Sequence, residues 1–221
     1  MKNLLLAFGF IFLSTPAFSQ FHLGLSAGAN MSFWTWEIKS LFWDIDFEPA
    51  MGWRAAVLGE WQMNPMLGFR AEFGTQVKAN KISSLLQFPD MTTGTATARE
   101  YFQYWEGSAL AQFSPVKKFR QVYILAGGTA GRLEKAWNKY SGTEGGKDFS
   151  SKNSIDIKDP NWNRNAFAAD FGLGGNIPLG ANSKIKVEAR YQYSLSNLSN
   201  NDNVDASISP LLFNVGYMHR L

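Results

Sequence analysis

Residues 184–195 read KIKVEARYQYSL. In an extended chain, Ile185, Val187, Ala189, Tyr191, Tyr193 and Leu195 share one face, and Lys184, Lys186, Glu188, Arg190, Gln192 and Ser194 share the other. Side chains of a strand alternate between faces, so this pattern signals a strand. It does not say which face meets water. A soluble sandwich turns the apolar face inward, whereas a membrane barrel turns it to lipid and keeps the charges inside.

The same alternation recurs along the chain. Residues 21–30 set Phe21, Leu23, Leu25, Ala27 and Ala29 against His22, Gly24, Ser26, Gly28 and Asn30. Residues 52–63 set Trp53, Ala55, Val57 and Trp61 against Arg54, Glu60 and Gln62. Residues 67–79 set Leu67, Phe69, Ala71, Phe73 and Val77 against Arg70, Glu72, Gln76 and Lys78. In 101–113 aromatics blur one end, but Trp105, Ala109, Ala111 and Phe113 oppose Glu106, Ser108 and Gln112. Residues 166–177 set Phe167, Ala169, Phe171 and Leu173 against Asp170 and Asn176, and 211–219 set Leu211, Phe213, Val215 and Tyr217 against Asn214 and Gly216. Residues 121–133 are apolar on both faces, so their facing is open.

Eight such runs are joined by connections that alternate in length. Short turns (64–66, 114–119 and 178–182) follow the second, fourth and sixth runs. Long connections (about 32–50, 80–100, 134–165 and 196–208) follow the others. Outer-membrane barrels have short periplasmic turns and long external loops. Most runs reach the roughly 9–11 residues that a tilted membrane strand needs, and aromatics stand near their ends, as in interfacial girdles. The expected fold is all-β: an eight-stranded antiparallel transmembrane barrel of up-and-down topology.

The ends and the composition agree. MKNLLLAFGFIFLSTPAFSQ has Lys2, an apolar run from Leu4 to Leu13, and Ala17-Phe18-Ser19 as a cleavage site. This predicts a signal peptide over 1–19 and a barrel domain over 20–221. Lys and Arg number 21 against 18 Asp and Glu, interleaved along the chain, which argues against a nucleic-acid partner. There is no cysteine, so neither disulfides nor thiolate metal sites contribute.

The wet face carries a candidate lumen network of both signs: Arg54, Glu60, Arg70, Glu72, Lys78, Glu106, Asp170, Lys186, Glu188 and Arg190. Eight strands enclose space that side chains fill, and charges removed from water persist when paired. The expectation is therefore a structural ion-pair plug, with a narrow solute path as the rival. Gly24, Gly28 and Gly174 on the inner face are expected to leave room for Arg and Lys side chains. The two histidines, His22 and His219, fall near one rim without a nucleophile motif, so catalysis is not expected and no cofactor is implied. Asp156, Asp159, Asp202 and Asp205 lack calcium-loop spacing, and no metal site is expected. In the first long connection Phe33, Trp34, Trp36, Leu41, Phe42 and Trp43 cluster, to pack over the mouth, meet the membrane or contact a protein or glycan partner. The third, polar and glycine-rich at its centre, is expected to be mobile.

KIKVEARYQYSLSNLSN, then a polar loop and LLFNVGYMHRL, resembles the end of the PorT-like eight-stranded outer-membrane barrels of Bacteroidetes. FHLGLSAGAN, LGFRAEFG, VYILAGGTAG and FAADFGLGGNIPLG match as well. Two features depart from the family: the chain ends in Leu221 where an aromatic is usual, and GSALAQF follows Glu106 where a proline-containing run is frequent. The resemblance implies an outer-membrane location, and one branch serves protein export. Three functions are open: a non-enzymatic barrel with a structural or loop-binding role, a narrow pore or secretion-associated component, and a soluble lipocalin-like binder of an apolar ligand.

Overall fold

A computed structural model describes residues 21–38, 48–87, 93–115, 121–144 and 147–221. The signal peptide assigned to 1–19, the apolar residues Leu41, Phe42 and Trp43, and most of the 114–119 turn lie outside the described residues. Nine strands follow in chain order: β1 (Phe21–Ile38), β2 (Glu48–Gln62), β3 (Leu67–Gln87), β4 (Thr93–Phe113), β5 (Val122–Glu144), β6 (Lys147–Ile155), β7 (Asn165–Pro178), β8 (Ser183–Ser194) and β9 (Val204–Arg220).

Eight of them form a closed antiparallel ring, β4-β3-β2-β1-β9-β8-β7-β5, with β5 returning to β4. Closure removes every sheet edge from the wall, a requirement where lipid offers backbone groups no partner. The exterior is apolar. Leu25 and Leu173 are 65% and 61% exposed, whereas Arg190, in the strand beside Leu173, is fully buried. Phe69, Phe73, Trp105, Phe167, Phe171, Phe213 and Val215 continue the outer belt. An aqueous exterior would penalise this arrangement; lipid rewards it. The lipocalin alternative, which needs the apolar face inside, is thereby contradicted. Among the described residues no helix is long and apolar enough to cross a membrane, and the strands do the crossing.

The strands run further than the alternation indicated. Much of the segments assigned to long connections is strand: β1 continues to Ile38, β3 to Gln87, β4 starts at Thr93, and β9 starts at Val204. Within the third long connection, the upper half of β5 pairs with β6. On its edge away from β4, β5 thus has two partners in turn, β7 along Val122–Arg132 and β6 from Ala136 upward. Polar, sparsely apolar sequence conceals such strands because their stability comes from neighbours across the sheet rather than from one buried face.

β5 also acquires its facing here. Tyr123, Leu125 and Thr129 point inward and Val122, Ile124, Ala126 and Ala130 outward. A register shift against Gln103 and Tyr104 inserts Glu134 between Leu133 and Lys135, so the parity reverses above it. Val77, assigned to the lipid face, is buried: its sheet neighbours are Trp53 and Gln103, beside the register shift between Ala50 and Trp53.

The inner glycines serve a different purpose from the one expected. Gly24 faces Met218, Gly28 faces Asn214, and Gly174 faces Tyr123, so no Arg or Lys occupies those spaces. Tyr123 on β5 lies over Gly174 on β7 and donates to Glu188 Oε1 on β8 at 2.5 Å. A Cβ at residue 174 would stand 2.6 Å from the Tyr123 ring. Gly174→Ala should therefore cost about 1–3 kcal/mol through overpacking, read as a lower urea midpoint in lipid vesicles. Gly175→Ala, whose Cβ meets nothing nearer than 3.9 Å, should leave the midpoint unchanged.

Candidate functional site

Inside the ring, β3 stands diametrically opposite β8. The alternation aims Arg70, Glu72 and Gln76 from β3 and Glu188, Arg190 and Gln192 from β8 into the lumen, where they meet across the full width of the barrel. Arg70 holds Glu188 through two bonds, Nη1–Oε1 at 2.5 Å and Nη2–Oε2 at 2.9 Å. Arg190 Nη1 reaches Glu72 Oε2 at 3.0 Å. One step toward the loop end, Gln76 donates to Gln192 at 3.2 Å.

Glu72 is the hub. It also receives Arg54 from β2 at 2.6 Å and lies 2.8 Å from Arg70 Nε, so three guanidinium groups converge on one carboxylate. Arg190 Nε lies 3.5 Å from Asp170 on β7, whose other oxygen accepts from Thr129 at 2.5 Å. Thr129 in turn contacts Ser108 on β4 at 2.7 Å. Two smaller clusters flank this layer. Toward the chain termini, Lys184 (2.6 Å) and Lys186 share Glu60, and Lys186 also donates to Gln112 at 2.8 Å. Toward the loop end, Lys78 pairs with Glu106 at 2.9 Å and lies over the Tyr104 ring.

The charged residues buried in the described structure are Arg54, Glu60, Arg70, Glu72, Lys78, Glu106, Asp170, Lys186, Glu188 and Arg190, five of each sign. Each makes an ion pair with another member of the set. A charge in such surroundings is retained when a neighbour of opposite sign and further hydrogen bonds replace its lost water.

Above the charged layers lies an apolar plug that the alternation did not locate. Phe102, Tyr104, Leu133, Ala136, Leu198, Ala206 and Ile208 are buried together, with Trp34, Trp36 and Trp162 packed against them. Phe102 contacts Trp34 and Trp162 at ring-centroid distances of 4.9 and 5.7 Å. Two external connections are stitched over it: Asn163 N–H donates to Leu198 O at 2.8 Å and Asn200 N–H to Asn161 O at 2.9 Å. The signal was the apolar residues of both parities in YFQYW, which blur the strand because both faces there are dry.

Water reaches the two ends. A cavity of about 420 Å³ at the terminal end is lined by His22, Gln62, Gln112, Tyr123, Asn176 and Arg220, among others. His219 is one rung from His22 in the β1–β9 register but projects from the opposite face, where it bonds Ser183 at 3.0 Å, so the two histidines form no pair. At the loop end a groove of about 740 Å³ runs beside Trp137, Lys135, Lys152, Lys158 and Arg164. Among the described residues no three His, Asp or Glu side chains are grouped to hold a metal. Asp156 and Asp159 instead accept from the backbone N–H of Lys158 and Asn161, closing their own turns.

A closed ring with an apolar wall and a charged, paired interior is the architecture of an outer-membrane β-barrel, and this chain is one. No family model and no curated protein matches the sequence. Among solved structures it is similar to Neisserial surface protein A (15% identity, 92% of this chain and 98% of that one, TM-score 0.43). It is similar also to the attachment invasion locus protein Ail of Yersinia pestis, solved with the heparin analogue sucrose octasulfate (15%, 90% and 99%, 0.41). A third is the outer membrane protein OprG of Pseudomonas aeruginosa (6%, 92% and 97%, 0.47).

Proposed function

We propose that this protein is a non-conducting, non-enzymatic outer-membrane barrel whose lumen is a structural brace and whose external half binds a protein or glycan partner. The observation that carries this reading is the direct contact of diametrically opposed strands through Arg70–Glu188, Arg190–Glu72 and Gln76–Gln192. Side chains that touch across the whole ring occupy the route a solute would take. The brace also fixes register, since a one-residue slip would send each charge to lipid.

The external half supports the binding part of the proposal. There β3, β4, β5 and β6 extend beyond the belt as a paired sheet, and the groove beside Trp137 offers cations and an aromatic face. In the same reading residues 1–19 are a signal peptide and 20–221 the barrel domain. Within the class we place the chain with the PorT-like barrels, on ARYQYSLSNLS and the glycine-rich strand segments. A role in secretion would be analogy of fold and forms no part of the proposal.

The test is conductance. Purified full-length mature barrel in planar bilayers should produce no reproducible channel. A stable, repeatable ion conductance from the unmodified protein would overturn the closed lumen in favour of a narrow pore.

A further inference from the structure

The register of the loop-end sheet aligns four cations in one row across adjacent strands. Lys81 on β3 is opposite Arg99 on β4, Arg99 is opposite Lys139 on β5, and Lys139 is opposite Lys152 on β6. All four point away from the barrel axis. Lys81 is neutralised by Glu48, at 2.6 Å, on its other side. Arg99, Lys139 and Lys152 are exposed, the one carboxylate in the row, Glu48, is engaged by Lys81 at its far end, and among the described residues no ion pair reaches these three. Neighbouring strands lie about 4.8 Å apart, so these three strands hold three positive side chains within about 10 Å. Like charges directly opposite one another are destabilising, so the row calls for an anion from outside the chain.

Its height in the wall indicates which one. The next row toward the membrane is Ala79, Tyr101, Trp137 and Ser154, with Tyr101 and Trp137 stacked at 5.3 Å. Lys139 lies over the Tyr101 ring and Lys152 over the Trp137 ring, at 5.7 and 5.6 Å, so both stems run along the aromatic row. Below stand Phe73 and Trp105, stacked at 5.6 Å and exposed to the hydrocarbon. From the row downward, this sector offers cations, then interfacial aromatics, then an apolar wall. A molecule with negative charge directly above acyl chains matches all three levels. We propose that Arg99, Lys139 and Lys152 bind the phosphate groups of a phosphorylated outer-leaflet lipid, holding it against the β3–β6 sector. The inference rests on the membrane placement of the wall and not on the closed lumen, so a conductance result does not bear on it.

The test compares bisphosphorylated lipid A with the same lipid after removal of its phosphates, each titrated into the full-length mature barrel in zwitterionic bicelles. The wild-type protein should favour the phosphorylated lipid by roughly tenfold to a hundredfold, from the attraction each surface cation contributes. Arg99→Gln/Lys139→Gln/Lys152→Gln should lose that preference, whereas Arg220→Gln, at the opposite rim, should keep it. Without lipid the triple variant should melt at the wild-type temperature or above, since mutual repulsion is removed. Should it fail to fold, Lys139→Gln alone should show a partial loss of preference. Equal binding of the two lipids by the wild type, or preference retained in the substituted proteins, overturns the proposal. Displacement of the lipid by inorganic pyrophosphate at matched phosphate concentration reassigns the row to a soluble anion and likewise overturns it.

Discussion

Glu72→Leu is expected to lower the folding free energy of the barrel in lipid vesicles by about 3–5 kcal/mol, the cost of leaving buried charge without its partner. Arg54, Arg70 and Arg190 all converge on this carboxylate, and Arg70 and Arg190 are fully buried there. Arg70 keeps Glu188 and Arg190 keeps Asp170, but Arg54 has no other ion-pair partner among the described residues. The double variant Glu72→Leu/Arg54→Leu should therefore recover part of the loss, and the cycle of single and double variants measures the pair directly. Glu106→Leu removes a carboxylate with a single ion-pair partner, Lys78, and should cost less. Urea unfolding in vesicles reads all five proteins: wild type, Glu72→Leu, Arg54→Leu, their double variant and Glu106→Leu. A loss below about 1 kcal/mol for Glu72→Leu would show that the lumen is wet enough to screen its charges as a surface does.

Ala189→Arg should be comparably severe for the opposite reason. Ala189 lies on the outer face of β8 between Leu173 and Phe213, both strongly exposed to lipid. A guanidinium there costs about 2–4 kcal/mol near the bilayer midplane and less toward either interface. The adjacent Arg190 is tolerated because it points the other way, into Glu72 and Asp170. Ala189→Leu should be accepted with little change, since a longer apolar side chain on this face displaces only lipid. A neutral Ala189→Arg with a damaging Ala189→Leu, measured as folding free energies in vesicles, would mean that the apolar face is not the lipid face.

The contrast between neighbouring residues 189 and 190 shows what was legible in advance. Alternation in β1, β2, β3, β7, β8 and β9 assigns a face to nearly every residue, because lipid and lumen demand opposite chemistry on consecutive side chains. Where both faces are dry the rule is silent. β5 at Val122–Leu133 is apolar outside for lipid and inside for Tyr123, Leu125 and Leu133. β4 at Phe102 and Tyr104 is apolar inside for the plug. Val77 failed for a different reason: a register shift in the neighbouring strand lets Trp53 and Gln103 flank it.

Local sequence by itself determined the strand type, the membrane-crossing runs, the outward apolar belt and the candidate charges of the interior, since each follows from a period of two within a single segment. The tertiary structure decided which charges meet. Glu72 and Arg190 are separated by 118 residues and become partners because ring closure sets β3 opposite β8. It also decided that the loop-end segments are strands, that Trp34, Phe102 and Trp162 share one plug, and that Arg99, Lys139 and Lys152 stand in one row. Alternation is a property of consecutive residues, whereas register and closure are properties of pairs of strands distant in the chain, and no local pattern encodes a distance between them.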